Sequence, residues 1–161
     1  MKICLTCAAG GHLNQIMNIM DAFKDYDFFF ITNKSETTLK LDSIAKTYYI
    51  KDSPKPFNIG FIKFNSLTFA LYTIYITLPC IKILFKEKPD VIISSGGSAS
   101  LCLCYLSKLM GSKVIYLESL TRVKELSTTG KLVYIISNLF LVQWEYLIEK
   151  YPRAKYWGKV I

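Results

Sequence analysis

Apolar and polar positions along this chain switch repeatedly between a period of two and a period near 3.6. Residues 2–8, "KICLTCA", are short, apolar and closed by glycines, which predicts a buried strand. From 13 to 23, Leu13, Ile16, Met17, Ile19, Met20 and Phe23 recur at helical spacing. "DFFFIT" (27–32) and "TYYIK" (47–51) read as the second and third strands, with a short helix expected over 36–46. "DSPKPFN" then breaks the pattern with two prolines. "DVIISS" (90–95), "KVIYLES" (113–119) and "LFLVQ" (139–143) supply a fourth, fifth and sixth strand. Helices are expected over 99–110, within "TGKLVYIIS", and over 144–151. Strands alternating with helices predict a mostly parallel sheet covered on both faces. The expected fold is α/β: one Rossmann-like three-layer domain over residues 1–161, with strand order 3-2-1-4-5-6.

That order makes strands one and four neighbours where the winding of the sheet reverses. Ligands of open α/β sheets bind there, beyond the carboxyl ends of the strands. Both strands run into a glycine pair and then a helix: Gly10–Gly11 in "AAGGHL" and Gly96–Gly97 in "SSGGSAS". Glycine lets backbone approach a ligand, and free N–H groups at a helix start attract anions. Two ordinary strand-to-helix turns would carry the same glycines. Between the first pair and its helix stands His12, the only histidine of the chain. An imidazole at such a cleft can take a proton from a hydroxyl, although a lone histidine is more often structural. Asn14 is a further polar candidate, Ser95 precedes the second pair, and Ser98 is placed to cap the helix that follows. The loop lacks G-x-G-x-x-G, and the second strand ends in Thr32–Asn33 with no acidic residue for a ribose. A free-standing dinucleotide-binding module is therefore disfavoured.

Charge narrows the partners. Lys plus Arg exceed Asp plus Glu by 20 to 12, a net charge of +8. The excess favours an anionic partner, but the basic residues are scattered, with no nucleic-acid-binding motif. A membrane surface or a phosphate-bearing ligand fits better, and nucleic acid is not expected. The five cysteines, Cys4, Cys7, Cys80, Cys102 and Cys104, are an odd set and argue against a disulfide scaffold. Cys4 and Cys7 form C-x-x-C inside a strand, where period two sends them to opposite faces, so they read as packing residues in a reducing compartment. No Asp-x-Asp motif or metal-ligand cluster is readable, so neither a metal nor a cofactor is expected.

Residues 64–81, "FNSLTFALYTIYITLPCI", carry no charge, and that reaches the length of a membrane-span candidate. A single span is rejected, because it would put the two halves of one sheet on opposite sides of a membrane. Pro79 is also expected to kink or divide the helix. Two readings stay open: a helix covered by protein on both sides, or a monotopic helix over about 64–88. In the second, Leu67, Leu71, Ile74 and Leu78 enter the bilayer while Lys63, Lys82, Lys86 and Lys88 meet headgroups.

The stretches "AGGHL", "KPDVIISSGG", "VIYLESLTRVKELSTTGKLVY" and "LFLVQWEYLIEKYPRA" together resemble one family, the small membrane-associated subunits of split GT-B glycosyltransferases. Its members include the anchoring subunit of the enzyme that adds GlcNAc to a dolichol-diphosphate-linked sugar in N-glycosylation. Others are accessory subunits of bacterial capsule and exopolysaccharide enzymes. The resemblance covers nearly the whole chain. It implies the N-terminal half of a GT-B enzyme, a donor-binding partner chain (a heterodimer), and metal-independent, inverting transfer of GlcNAc or a similar sugar. The acceptor would be a lipid-diphosphate-linked saccharide at the cytoplasmic face of a membrane. On that reading His12 is the catalytic base, and Glu118 is a second catalytic group that orients a sugar hydroxyl or holds His12. Gly10, Gly11, Asn14, Ser95, Gly96, Gly97, Ser98 and Arg122 are expected to bind the acceptor, with Lys124 beside them. Tyr156, Trp157, Val160 and Ile161 would dock on the partner. The alternative is a non-catalytic membrane scaffold that recruits and activates a self-sufficient glycosyltransferase.

Overall fold

A computed structural model describes residues 1–51, 66–97 and 99–160, with the side chains of 66–74 outside that description. Seven strands form one parallel sheet: β1 (Lys2–Cys7), β2 (Asp27–Asn33), β3 (Thr47–Ile50), β4 (Val91–Gly96), β5 (Lys113–Leu117), β6 (Leu139–Val142) and β7 (Ala154–Tyr156). Their order is β3-β2-β1-β4-β5-β6-β7, and every neighbouring pair is parallel. The expected order holds and continues by one strand. β7 is three residues long, too short to show a period, and pairs Phe140 with Ala154 and Val142 with Tyr156.

Among the described residues five helices connect the strands: α1 (Gly11–Asn18), α2 (Ser66–Glu87), α3 (Ser100–Leu109), α4 (Thr128–Ile136) and α5 (Leu147–Lys150). The single helix expected over 13–23 is divided. Ile19, at φ −107°, ends the α ladder, and a 3-10 turn over Met20–Phe23 carries Phe23 into the core. The helix expected over 36–46 is a 3-10 turn, Leu39–Ser43. Conversely, α2 runs on through Pro79 instead of dividing there.

Strand periodicity sorts the core into two layers. Cys4, Phe29, Ile31, Ile92 and Val114 face Cys80 and Leu84 of α2, Leu103 and Cys104 of α3 and Val133 of α4. Ile3, Leu5, Cys7, Phe30 and Ile93 face Leu13 and Ile16 of α1, with Phe23 and Leu41. Cys4 and Cys7 thus lie on opposite faces, both buried and free, as period two requires. Each such fully buried aliphatic or aromatic side chain contributes about 1.5–3 kcal/mol.

One charged residue ties the lower edge of this sandwich together. Glu87, the last residue of α2, is 6% exposed. Its carboxylate accepts hydrogen bonds from Lys2 Nζ at the start of β1, from Lys46 Nζ at 2.6 Å, and from the Tyr48 hydroxyl on β3. Burial alone would raise its pKa, but these three donors outweigh it and hold the group at about 2, below the ordinary 4.5. The folded pKa lies below the unfolded one, so the unfolded chain takes up the proton first. The stabilisation is complete above about pH 4.5 and is lost as pH falls toward 2. In denaturant titrations the unfolding free energy should drop through that window by roughly 2–3 kcal/mol, and Glu87→Gln should start lower and lack the drop. Wild-type and variant curves of the same slope between pH 5 and 2 would remove Glu87 from this role.

Candidate functional site

At the carboxyl edge of the sheet, the loops after β1 and β4 lean on each other. Ala8 N–H donates to the Gly96 carbonyl at 3.1 Å, and the Ser95 hydroxyl donates to the His12 carbonyl at 2.8 Å. Asn33 Oδ1 holds Ala9 N–H from the end of β2. The approach leaves no room for side chains. A Cβ on Gly97 would stand 3.0 Å from Ala8, and one on Gly96 would stand 2.8 Å from His12 Cε1. Gly96 and Gly97 also have positive φ, 111° and 126° respectively, which disfavours any other residue.

His12 is the second residue of α1, so the loop contact fixes its backbone and Gly96 sits against its ring. Its Nδ1 is buried and has no hydrogen-bond partner among the described residues. The Tyr116 hydroxyl comes up beside the same glycine, 3.3 Å from where a Cβ would be. Tyr116 stacks on Phe140, and its burial raises the phenol pKa well above the ordinary value.

The opposite wall is the segment between β5 and α4. Glu118 follows β5 and continues its ladder through N–H to the Leu141 carbonyl. Its side chain is 1% exposed. One carboxylate oxygen accepts from Ser119 N–H at 2.9 Å; the other accepts from Ser127 N–H at 2.9 Å and from the Ser127 hydroxyl at 3.1 Å. Ser127 in turn caps α4 by accepting from Gly130 N–H. A Cβ at Gly130 would fall 2.0 Å from the Glu118 carboxylate, so glycine is needed there. Glu118 therefore closes the 119–127 loop by both ends. None of its hydrogen bonds goes to His12, so that expected contact is not formed.

These walls enclose a cleft of about 360 Å³, lined by His12, Gly96, Gly97, Tyr116, Glu118, Ser119, Thr121, Arg122 and Ser127–Thr129. The structure brings together His12, Glu118, Gly96, Gly97 and Arg122 of the residues expected from sequence. Arg122 is exposed, with no ion pair among the described residues, so its guanidinium is available to an anion. Gly10, Gly11 and Asn14 are exposed but do not line the cleft; they turn the chain into α1. Ser95 is buried and its hydroxyl is committed to the His12 carbonyl, which makes it a support for His12 and not a ligand contact. Lys124 is exposed and stands outside the lining, and Ser98 lies outside the described residues. Sequence reasoning missed Tyr116, Thr121 and the amino end of α4. The last was signalled by "STTG" before an apolar run, an N-cap pattern.

Two expected surfaces lie outside the cleft. On α2, Cys80, Leu84 and Glu87 face inward, and Tyr75, Leu78, Lys82 and Phe85 form an exposed stripe. Leu78 is exposed as expected, while the side chains of Leu67, Leu71 and Ile74 lie outside the described residues. None of the described helices is long and apolar enough to cross a membrane. Of the residues expected to meet a partner, Trp157 is 72% exposed and Val160 is half-buried. Tyr156 is half-buried; it belongs to β7 and packs against the core. Ile161 lies outside the described residues.

Comparison with known proteins agrees with this geometry. Solved structures with the same fold include MurG of Acinetobacter baumannii (TM-score 0.69, 14% identity, 88% of this chain and 41% of that one). A UDP-N-acetylglucosamine 2-epimerase of Rickettsia bellii is also similar (TM-score 0.65, 13% identity, 99% of this chain and 45% of that one). This chain thus spans less than half of either, the equivalent of one Rossmann-like half of a GT-B molecule. Among curated proteins it is 38% identical to the UDP-N-acetylglucosamine transferase subunit ALG14 of Debaryomyces hansenii, over 99% of this chain and 76% of that protein. The Schizosaccharomyces pombe protein of the same name is 32% identical (94% and 80%), and the Homo sapiens one 25% (100% and 83%). The family model described as "Oligosaccharide biosynthesis protein Alg14 like" matches residues 3–160, and the chain belongs to that family.

Proposed function

We propose that this chain is the acceptor-binding, membrane-attached subunit of a two-chain glycosyltransferase. The reaction is transfer of N-acetylglucosamine from its UDP-sugar to a saccharide carried on a lipid diphosphate. The observation that carries the reading is the cleft itself: the only imidazole of the chain and the exposed Arg122 guanidinium line one cleft where the sheet changes its winding. The UDP-sugar enters from the names of the similar subunits.

The chemistry follows from that arrangement. An acceptor hydroxyl attacks the anomeric carbon on the face opposite the nucleotide. The new C–O bond forms as the bond to the diphosphate oxygen breaks, UDP leaves, and the configuration inverts. The hydroxyl proton passes to His12. Nδ1 is closed off against Gly96, which leaves Nε2 as the nitrogen for an incoming hydroxyl. Arg122 meets the acceptor diphosphate with charge-assisted hydrogen bonds. Glu118 holds the Arg122 loop through Ser119 and Ser127, a positioning role.

The donor site belongs to a second chain, with Trp157 as the exposed aromatic anchor toward it. The Tyr75–Leu78–Phe85 stripe, flanked by exposed Lys82, Lys86 and Lys88, suits a monotopic seat on an anionic cytoplasmic membrane face.

Four outcomes test this. The purified chain alone should transfer no sugar from UDP-GlcNAc and should become active with its partner; turnover by the chain alone would end the two-chain reading. In the assembled complex, His12→Ala should lower kcat about a hundredfold or more with assembly unchanged. Arg122→Ala should instead act mainly by raising the acceptor KM. A His12→Ala complex with wild-type kcat would favour the scaffold alternative. Finally, Leu78→Ser combined with Phe85→Ser should cut co-sedimentation with phosphatidylserine-containing vesicles severalfold while the melting temperature holds. Unchanged sedimentation would take the stripe out of the membrane.

A further inference from the structure

The loop that carries Arg122 is held by its backbone from one short stretch after β6. Gln143 Nε2 donates to the Glu118 carbonyl at 2.9 Å, and Trp144 Nε1 donates to the Leu120 carbonyl at 2.8 Å. The Tyr146 hydroxyl donates to the Val123 carbonyl. None of these three side chains lines the cleft, yet each fixes a carbonyl of the loop whose Ser119, Thr121 and Arg122 do. The other ends of two of them are gripped by residues 159–160. Val160 N–H donates to Gln143 Oε1 at 2.8 Å, and the Lys159 ammonium lies 4.0 Å from the Trp144 ring centroid.

Gln143 is 1% exposed, so its amide has little water to replace either partner. Its orientation is also fixed. Turning the amide over would set oxygen against the Glu118 carbonyl and NH2 against Val160 N–H, losing both bonds in a buried place. Val160 and Glu118 therefore select the same state of one side chain. Movement of residues 159–160 is felt at the Glu118 carbonyl, and Glu118 is the residue that closes the Arg122 loop. The exposed Trp157 stands two residues before Lys159.

We propose that Gln143 and Trp144 are positioning residues that couple segment 157–160 to the Arg122 loop. A protein seated on Trp157 then sets the geometry of the cleft's cationic wall. The proposal rests on the reading of Trp157 as a docking residue, but the coupling is a property of this chain and is measurable without a partner.

The test compares four proteins: the full chain, a version ending at Tyr156, Gln143→Met, and both changes together. Hydrogen–deuterium exchange is read at the Ser119, Arg122 and Ser127 amides, each hydrogen-bonded inside the loop. Each single change should speed exchange there roughly fivefold, the effect of one lost hydrogen bond, with β1 and β4 unchanged. The double change should give less than the product of the two factors, because both act through one amide. Loop exchange unaltered by the truncation, or factors that multiply, would overturn the coupling. Inorganic pyrophosphate titrated against the same proteins separates this from the cleft reading. If the coupling holds, its affinity falls severalfold in both single variants, although neither change touches the lining. A full chain that binds no pyrophosphate counts against the anion site, and the exchange data still decide the coupling.

Discussion

The contact between the first and fourth strand loops is the constraint on which the rest of the cleft depends. Parallel neighbours at the switch point end side by side, so their loops compete for the same space. The conflict is resolved by removing side chains at Gly96 and Gly97 and by bonding the loops together through Ala8 and Ser95. His12 takes its position from that contact. A methyl group at position 96 would push the imidazole, and one at 97 would push the whole first loop. The buried His12 Nδ1, without a partner among the described residues, is the kind of local cost that clusters at working sites.

The two walls of the cleft are built by different means. The His12 wall is close-packed backbone, set by strands that are nearly all buried. The Arg122 wall is a loop over exposed ground, and it holds its shape through side chains that hydrogen-bond backbone: Glu118 from within, and Gln143, Trp144 and Tyr146 from the stretch after β6. A wall of the first kind opens only with the fold. A wall of the second kind can shift for the loss of one or two bonds, each worth about 1 kcal/mol. A site that admits a ligand while keeping His12 fixed is well served by one wall of each kind.

The legibility of these features in the sequence follows the same physics. Buried parallel strands leave long apolar runs, so six strands, their order and the cleft position were readable, as were both faces of C-x-x-C. The family was readable because its motifs are long. β7 was not, because three residues set no period. Gln143 was not, because a glutamine at a strand end looks like any polar terminus until Glu118 and Val160 are seen on either side of its amide. Glu118 was expected at the cleft and lines it; of its two expected roles, the contact to His12 is not formed, because two serine amides and a hydroxyl claim the carboxylate. Gly10, expected at the cleft as part of the glycine turn, and Asn14, expected as a polar candidate, lie outside its lining, at the start of α1.

Charge distribution gives the last step. A net +8 is not by itself a binding site, since screened surface charge reaches little beyond 10 Å. What matters is which cations are already spoken for. Lys2 and Lys46 are bound to Glu87, Lys24 to Asp21 and Lys131 to Glu125. Glu118, the acidic residue of the cleft lining, is saturated by Ser119 and Ser127 and cannot reach out to a base. Arg122 therefore keeps its charge for the cleft, near the amino end of α4, where Ser127, Thr128 and Thr129 sit. The helix start adds a partial positive charge to the same wall. A neutral sugar would gain little from that field. A diphosphate would gain from both, so the electrostatics of the cleft favour a phosphate-bearing ligand over a neutral one.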